Sequence, residues 1–183
     1  MSEVLGLLLA AGAGRRYGSP KVLAHQGLWL QLAVDALRGG GCGRVLVVLG
    51  AADVPLPEGA EAVYAVRWAD GVGESLRAGL AAAAGVPDAR YLAMHLVDLP
   101  DVGGRVVARV IGAAARAPSG LARAFFGDRP GHPVVAARPH WGPLRDSAAG
   151  DEGGREYLGR QGELLVRVQC EDLASGTDQD VRR

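Results

Sequence analysis

Short runs of consecutive apolar residues alternate along the chain with longer stretches whose apolar positions recur every three to four residues. Val4–Leu9, Val45–Leu49, Tyr91–Val97, Leu121–Phe126 and Pro133–Ala137 read as strands, and Trp29–Leu37, Ser75–Ala84 and Arg105–Ala115 as helices of moderate length. The strand runs are almost wholly apolar rather than alternating, so both faces of each strand must be covered. That predicts an α/β fold in which a mostly parallel sheet lies between two helical layers. Gly39-Gly40-Gly41 closes the first helix, and Pro118-Ser119-Gly120 separates the third from the next strand. Ser75, after the loop Asp70-Gly71-Val72-Gly73, is the expected N-cap of the second helix, and the N–H groups of that helix end favour an anion. No linker, repeat or low-complexity segment divides the sequence, so residues 1–183 are expected to form a single domain.

A chain of 183 residues can bury a core without disulfide or metal staples. Lysine plus arginine equals aspartate plus glutamate at 20 each, so no overall field draws the protein to nucleic acid or to a membrane surface. An anionic ligand must be held locally. Cys42 and Cys170 stand alone without CxxC spacing, which fits buried thiols in a reducing cytoplasm and argues against a zinc site. The stretch Met-Ser-Glu-Val-Leu lacks the basic start of a signal peptide, and its apolar run breaks at Gly12 before it could span a bilayer.

The strongest candidate chemistry lies just after the first strand, in Leu8-Leu9-Ala10-Ala11-Gly12-Ala13-Gly14-Arg15-Arg16-Tyr17-Gly18-Ser19-Pro20-Lys21. Gly12, Gly14 and Gly18 let the backbone approach a ligand, and successive N–H groups can converge on phosphate oxygens. Arg15, Arg16 and Lys21, the only lysine in the chain, add positive charge. The loop is neither a dinucleotide fingerprint, because Tyr17 occupies the third small position, nor a Walker A loop, because Val22 follows Lys21. Asp98 ends a buried strand in Val97-Asp98-Leu99-Pro100, where open α/β sheets present groups to ligands; it is a natural seat for magnesium, with Asp178 or Asp180 as the further acid. Asp101 is the better candidate for capping the helix near 105. Of the histidines, His25 and His140 read as surface positions, His95 lies within a strand, and only His132 has the setting of a binding residue. No Gly-x-Ser-x-Gly elbow or activated cysteine is present, so a covalent intermediate is not expected.

These segments together resemble the MobA-like nucleotidyltransferases. The loop Leu9–Gly18 with Pro20-Lys21 is similar to the family's signature loop. Trp68, Gly71 and Ser75-Leu76-Arg77-Ala78-Gly79-Leu80 resemble its W-x-x-G…S-L-x-x-G-L segment, and Asp98-Leu99-Pro100 its metal-binding D-x-P. Gly131-His132-Pro133-Val134, Gly150-Asp151-Glu152-Gly153-Gly154-Arg155 and Asp178-Gln179-Asp180 resemble the G-H-P-V, G-D-x-G-x-R and D-x-D elements. The G-H-P-V and G-D-x-G-x-R elements, with Ala-Ala-Gly at 10–12, are most similar to the molybdenum cofactor cytidylyltransferases.

The resemblance implies a Rossmann-like three-layer fold of the nucleotide-diphospho-sugar transferase type. It also implies Mg2+-dependent transfer of CMP from CTP to a phosphorylated acceptor such as molybdopterin, with release of pyrophosphate and a molybdoenzyme as the partner that receives the product. Residue by residue, it implies Ala10, Ala11 and Gly12 near base and ribose, Gly14, Arg16 and Lys21 on the triphosphate, and Ser75 near the nucleotide. Asp98 and Asp180, with Asp178, would ligate the metal, and His132, Asp151 and Arg155 would line the acceptor side. Departures, such as Leu99 where glutamine is common and Val66-Arg67 where relatives carry asparagine, leave the acceptor open among molybdopterin, sugar phosphates and other cofactor precursors. GTP as donor and a non-catalytic, nucleotide-binding cofactor chaperone are the other readings.

Overall fold

Each of the predicted strands forms where its apolar run stands. In the computed structural model, which describes residues 3–180, these are β1 (Val4–Leu9), β2 (Arg44–Leu49), β4 (Tyr91–Leu96), β5 (Leu121–Phe126) and β6 (Arg129–Ala137). Met1 and Ser2, the start of the stretch weighed above as a leader, lie outside the described residues. Two strands were not apparent in the sequence. β3 (Ala60–Tyr64) and β7 (Val166–Gln169) are the two edges of the sheet, where Ala-Glu-Ala-Val-Tyr and Val-Arg-Val-Gln need only one covered face and carry polar residues to match.

The sheet order is β3-β2-β1-β4-β6-β5-β7. All neighbouring pairs run parallel except those of β6, which is antiparallel to both β4 and β5. The reversal matters for function. It brings the first residues of β6, including His132, to the same sheet edge as the carboxyl ends of β1 and β4. That edge, beside a change in strand order, is where open α/β sheets bind ligands.

Helices α1 (Leu28–Gly39) and α3 (Gly104–Arg116) cover one face. Their buried Val34, Leu37, Val106 and Val110 pack with Leu8, Val45, Val47, Ala93 and Val135 of the strands. Helices α2 (Val72–Ala84), α4 (Trp141–Ser147) and α5 (Arg155–Arg160) cover the other, where Leu76, Leu80, Leu144 and Leu158 meet Leu7, Leu46, Val48, Leu92 and Val134. Successive strand residues therefore enter opposite cores, as a pleated strand covered on both faces requires.

Helix α2 starts at Val72, earlier than the serine-cap reading predicts. Its N-cap is Gly71, and Ser75 is buried inside the helix, 4% exposed, so the expectation that Ser75 caps it is corrected. The cause is tertiary. Gly73 leaves so little room that an added Cβ would lie 2.7 Å from the carbonyl carbon of Ala149, and this contact docks the start of α2 onto the loop carrying Asp151. Asp101 likewise does not cap α3, whose N-cap is Gly103. His140 is not a plain surface residue: its Nε2 donates to the Ser119 carbonyl at 2.7 Å, which leaves Nδ1 to accept the Tyr157 hydroxyl at 2.7 Å. No helix among the described residues is long and apolar enough to cross a membrane.

Candidate functional site

The glycine-rich loop leaves β1 with Ala10 and Ala11 still buried. The Ala10 N–H donates to the Val48 carbonyl at 3.0 Å, and the Ala11 carbonyl accepts from Ala51 at 2.9 Å, so both residues are pinned to the sheet before the loop opens. Beyond them the chain turns back on itself: Gly18 N–H donates to the Gly14 carbonyl at 2.8 Å. Gly14 takes φ 60°, and a Cβ there would lie 1.9 Å from the Ser19 carbonyl oxygen, so only glycine fits. Gly12 has open space where a side chain would be. Arg15 and Arg16 project outward, with the Arg16 side chain 83% exposed.

At the far end of the loop Lys21 reaches across the sheet edge. Its Nζ lies 2.6 Å from Asp98 Oδ2 and 2.6 Å from Asp180 Oδ1, and Arg16 adds a second contact to Asp180 at 3.3 Å. Burial disfavours the charge on Lys21, but hydrogen bonds to Asp180 and Asp98 outweigh it and raise its pKa. The Lys21 hydrogen bond holds the Asp180 carboxyl below its usual range. Asp178 behaves in the opposite way. Burial, then the neighbouring charges of Asp98 and Asp180, push it up against the pull of Lys21 and Arg129. Three acids and one lysine, separated by up to 159 positions in sequence, thus form one electrostatic unit. No group of three or more His, Cys, Asp and Glu side chains placed to hold one metal ion is present among the described residues.

The two terminal aspartates are brought here by a strap of extended chain after β7, and two residues that sequence reasoning missed hold it down. Asp101 Oδ2 accepts from Ser175 N–H at 2.7 Å, Ser175 Oγ at 2.7 Å and Gly176 N–H at 3.3 Å. Arg129 donates to the carbonyls of Gly176 at 2.8 Å and Ser175 at 2.6 Å. Gln179 N–H then donates to the Asp98 carbonyl at 3.0 Å, which sets the strap alongside the end of β4. Nothing in the local sequence of Asp101 or Arg129 marks this role, because the partners lie 74 and 47 residues away.

Beside the carboxylates opens a cavity of about 190 Å³ between the strand ends and helices α2, α4 and α5. His132, Asp151 and Arg155, the residues expected on the acceptor side, all line it, and so does Asp178. His132 is uncharged: burial and then the positive charge of Arg123 push its pKa down to about 3. Arg123, which also lines the cavity, was not foreseen, although an arginine inside Leu-Ala-Arg-Ala-Phe-Phe is a visible signal. Ser75 is not among the lining residues. The arrangement joins a loop suited to phosphates, an acidic pair suited to a cation, and a compact pocket on the far side of that pair.

A family model of the MobA-like NTP transferase domain matches residues 6–165. The protein named nicotine blue oxidoreductase, from Paenarthrobacter nicotinovorans, is 31% identical over 199 residues, an alignment that covers 97% of this chain and 92% of that protein. A crystal structure from Mycobacterium sp. strain JC1, of a homologue of Mycobacterium tuberculosis Rv0371c, superposes with a TM-score of 0.77 at 26% identity and covers 98% of this chain and 91% of its own. Rv0371c of M. tuberculosis H37Rv in complex with manganese superposes with a TM-score of 0.68 at 22% identity, covering 91% and 88%, a likeness of fold. The architecture is that of the nucleotide-diphospho-sugar transferases, and the chain, which carries a nucleotidyltransferase domain over most of its length, belongs to the MobA-like NTP transferase family.

Proposed function

We propose that the protein transfers a nucleoside monophosphate, CMP from CTP being favoured, to a phosphorylated acceptor such as molybdopterin, with release of pyrophosphate. The observation that carries this reading is the Lys21 ammonium held between Asp98 and Asp180: an acidic pair that already grips one cation is chemically suited to a divalent one. Asp98 and Asp180 would hold Mg2+, with Asp178 beside them, and the ion would neutralise charge on the phosphates. The other tasks fall to the chain itself. Lys21 and Arg16, once released to the triphosphate, stabilise charge on the departing pyrophosphate, and the loop N–H groups around Gly12 and Gly14 position it. A phosphate acceptor is already an anion near neutral pH, so no general base is needed. Neutral His132 is then a hydrogen-bonding partner rather than a proton carrier. The buried thiols fit work in a reducing cytoplasm, and burial pushes Cys42 up to about 12, which keeps it inert.

The test is pyrophosphate release from CTP and GTP with Mg2+ or Mn2+, across molybdopterin, sugar phosphates and other phosphorylated precursors. CTP with molybdopterin should be the best pair, and Asp98→Ala should lower turnover by orders of magnitude while the fold is retained. An Asp98→Ala variant with full activity would refute the metal assignment. Nucleotide binding without pyrophosphate release under any condition would favour a cofactor chaperone instead. A second reading, oxidoreduction, is favoured by one observation, the 31% identity to nicotine blue oxidoreductase over nearly the whole chain. It predicts that nicotine blue is oxidised or reduced in the presence of this protein. The transferase reading predicts neither.

A further inference from the structure

Among the charged residues lining the cavity, Arg123 is one that neither the loop nor the acidic pair explains. Arg123 sits on β5 between Ala122 and Ala124, both of which are fully buried in the core under α1 and α3. Its side chain therefore faces the other layer, where it lines the cavity beside His132 and Arg155. Its Nε donates to the Gly131 carbonyl at 2.9 Å, which fixes the guanidinium at the head of the Gly131-His132-Pro133 segment. Burial and then the nearby Arg155 both act against its charge. Among the described residues neither arginine is ion-paired to a carboxylate, although Asp151, Glu152 and Asp178 share the lining. A half-buried guanidinium without a counter-ion is costly unless an anion completes it.

The rest of the wall narrows the anion's identity. Leu9, Leu76, Met94, Leu96, Leu144 and Leu158 give it an apolar side, and they offer no hydroxyl or amide to a polyol. At about 190 Å³ the space falls below the roughly 300–1,000 Å³ of common ligand pockets, enough for about one ring with its substituents, so a larger acceptor such as molybdopterin would enter it only in part. We propose that Arg123 is the specificity-determining anion receptor of this cavity, and that it selects a compact organic anion with a flat or apolar body over a polyhydroxylated one. This rests on the reading above that the cavity takes the acceptor. The planar fork of arginine suits a phosphate or a carboxylate alike.

Calorimetry with the full chain, using phenyl phosphate, benzoate and glucose 1-phosphate as probes and CTP as a control, tests it. Phenyl phosphate or benzoate should bind, the tighter of the two naming the anionic group, and glucose 1-phosphate should bind at least about tenfold more weakly. Arg123→Gln should lose about tenfold or more of that affinity and Arg123→Lys less, with CTP affinity unchanged in both. A purely structural arginine would lower Tm when replaced. An anion receptor without a partner should leave the Arg123→Gln Tm unchanged or raised, while removing the Tm increase that phenyl phosphate gives the unsubstituted protein. Equal binding of glucose 1-phosphate, or undiminished phenyl phosphate binding in Arg123→Gln, would overturn the proposal. Absence of pyrophosphate release with these binding differences intact would instead count against the transferase reading alone.

Discussion

Lys21 shows how much of this site rests on single residues. Its ammonium is shared between two carboxylates at 2.6 Å, close to the optimum for a charge-assisted hydrogen bond, so it competes with any divalent ion for the same oxygens. Lys21→Ala should therefore bind Mn2+ more tightly than the unsubstituted protein when no nucleotide is present, by about tenfold in a titration of free Mn2+ by electron paramagnetic resonance. With nucleotide and acceptor the same variant should lose turnover, because the triphosphate loses its cation. Unchanged or weaker Mn2+ binding would show that the lysine does not occupy the ion's place. His95 makes the second prediction at this scale. It is 0% exposed, neither ring nitrogen has a hydrogen-bond partner, and burial pushes its pKa from 6.5 down to about 4. A lowered folded-state value means that the unfolded chain binds the proton first, so stability is full above pH 6.5 and drains as pH falls towards 4. The loss approaches about 2 to 3 kcal/mol, and His95→Leu should flatten it by a similar amount in denaturant melts at pH 7 and pH 4.5. That Lys21 and Asp98 come to the same end of the sheet was legible in the sequence, because one lies in the glycine loop after β1 and the other at the end of β4. Asp101 and Arg129 were not, because their significance lies in a strap that meets them only in the fold.

Among the elements, α2 and the loop before α5 are coupled by close backbone contact, to which Arg77 adds a hydrogen bond to the Ala148 carbonyl at 3.2 Å. The sequence placed α2 correctly but began it at Ser75, since a serine after a glycine loop is the usual start signal. The structure starts it at Val72 because Gly71 at φ 119° and Gly73 let the helix end pack directly on Ala149 and Gly150. The short helices α4 and α5, seven and six residues long, escaped because so few turns give no readable period. Gly73→Ala weighs two effects against each other. Replacing glycine within a helix gains up to about 1 kcal/mol from propensity, but the new methyl would sit 2.7–2.9 Å from backbone atoms of Ala149, and backbone cannot swing aside as a flexible side chain can. Overpacking costs about 1–3 kcal/mol, so the clash wins. The variant should melt several degrees lower and, because the displaced loop carries Asp151, its KM for acceptor should rise more than its KM for nucleotide. Equal effects on both would separate this loop from the acceptor side.

At the scale of the whole molecule, the α/β class followed from runs of apolar residues, whereas the strand order did not. Nothing local tells β6 to insert antiparallel between β4 and β5, yet that insertion sets His132 beside the end of β4. Nor does the sequence reveal that the chain returns after β7 to the end of the sheet where β1 and β4 finish. Apart from Gly176, which is buried against the Phe126 ring, both hydrophobic cores are built before the strap: their fully buried apolar members end at Cys170, with Leu173 and Ala174 packed beyond it. The strap from Ser175 to Asp180 adds hydrogen bonds to Asp101 and Arg129, several of them exposed, which together contribute about 2–3 kcal/mol. A chain ended after Ala174 should therefore keep the circular dichroism of the intact protein and a single cooperative melt, with Tm lower by roughly 5–10 °C. It should bind Mn2+ at least about tenfold more weakly, since Asp98 is left without Asp180 or Asp178. If the shortened chain bound Mn2+ as the intact one does, the acidic pair would have to be sought elsewhere. If it failed to fold, the strap would belong to the core, a result the closed packing of both faces argues against.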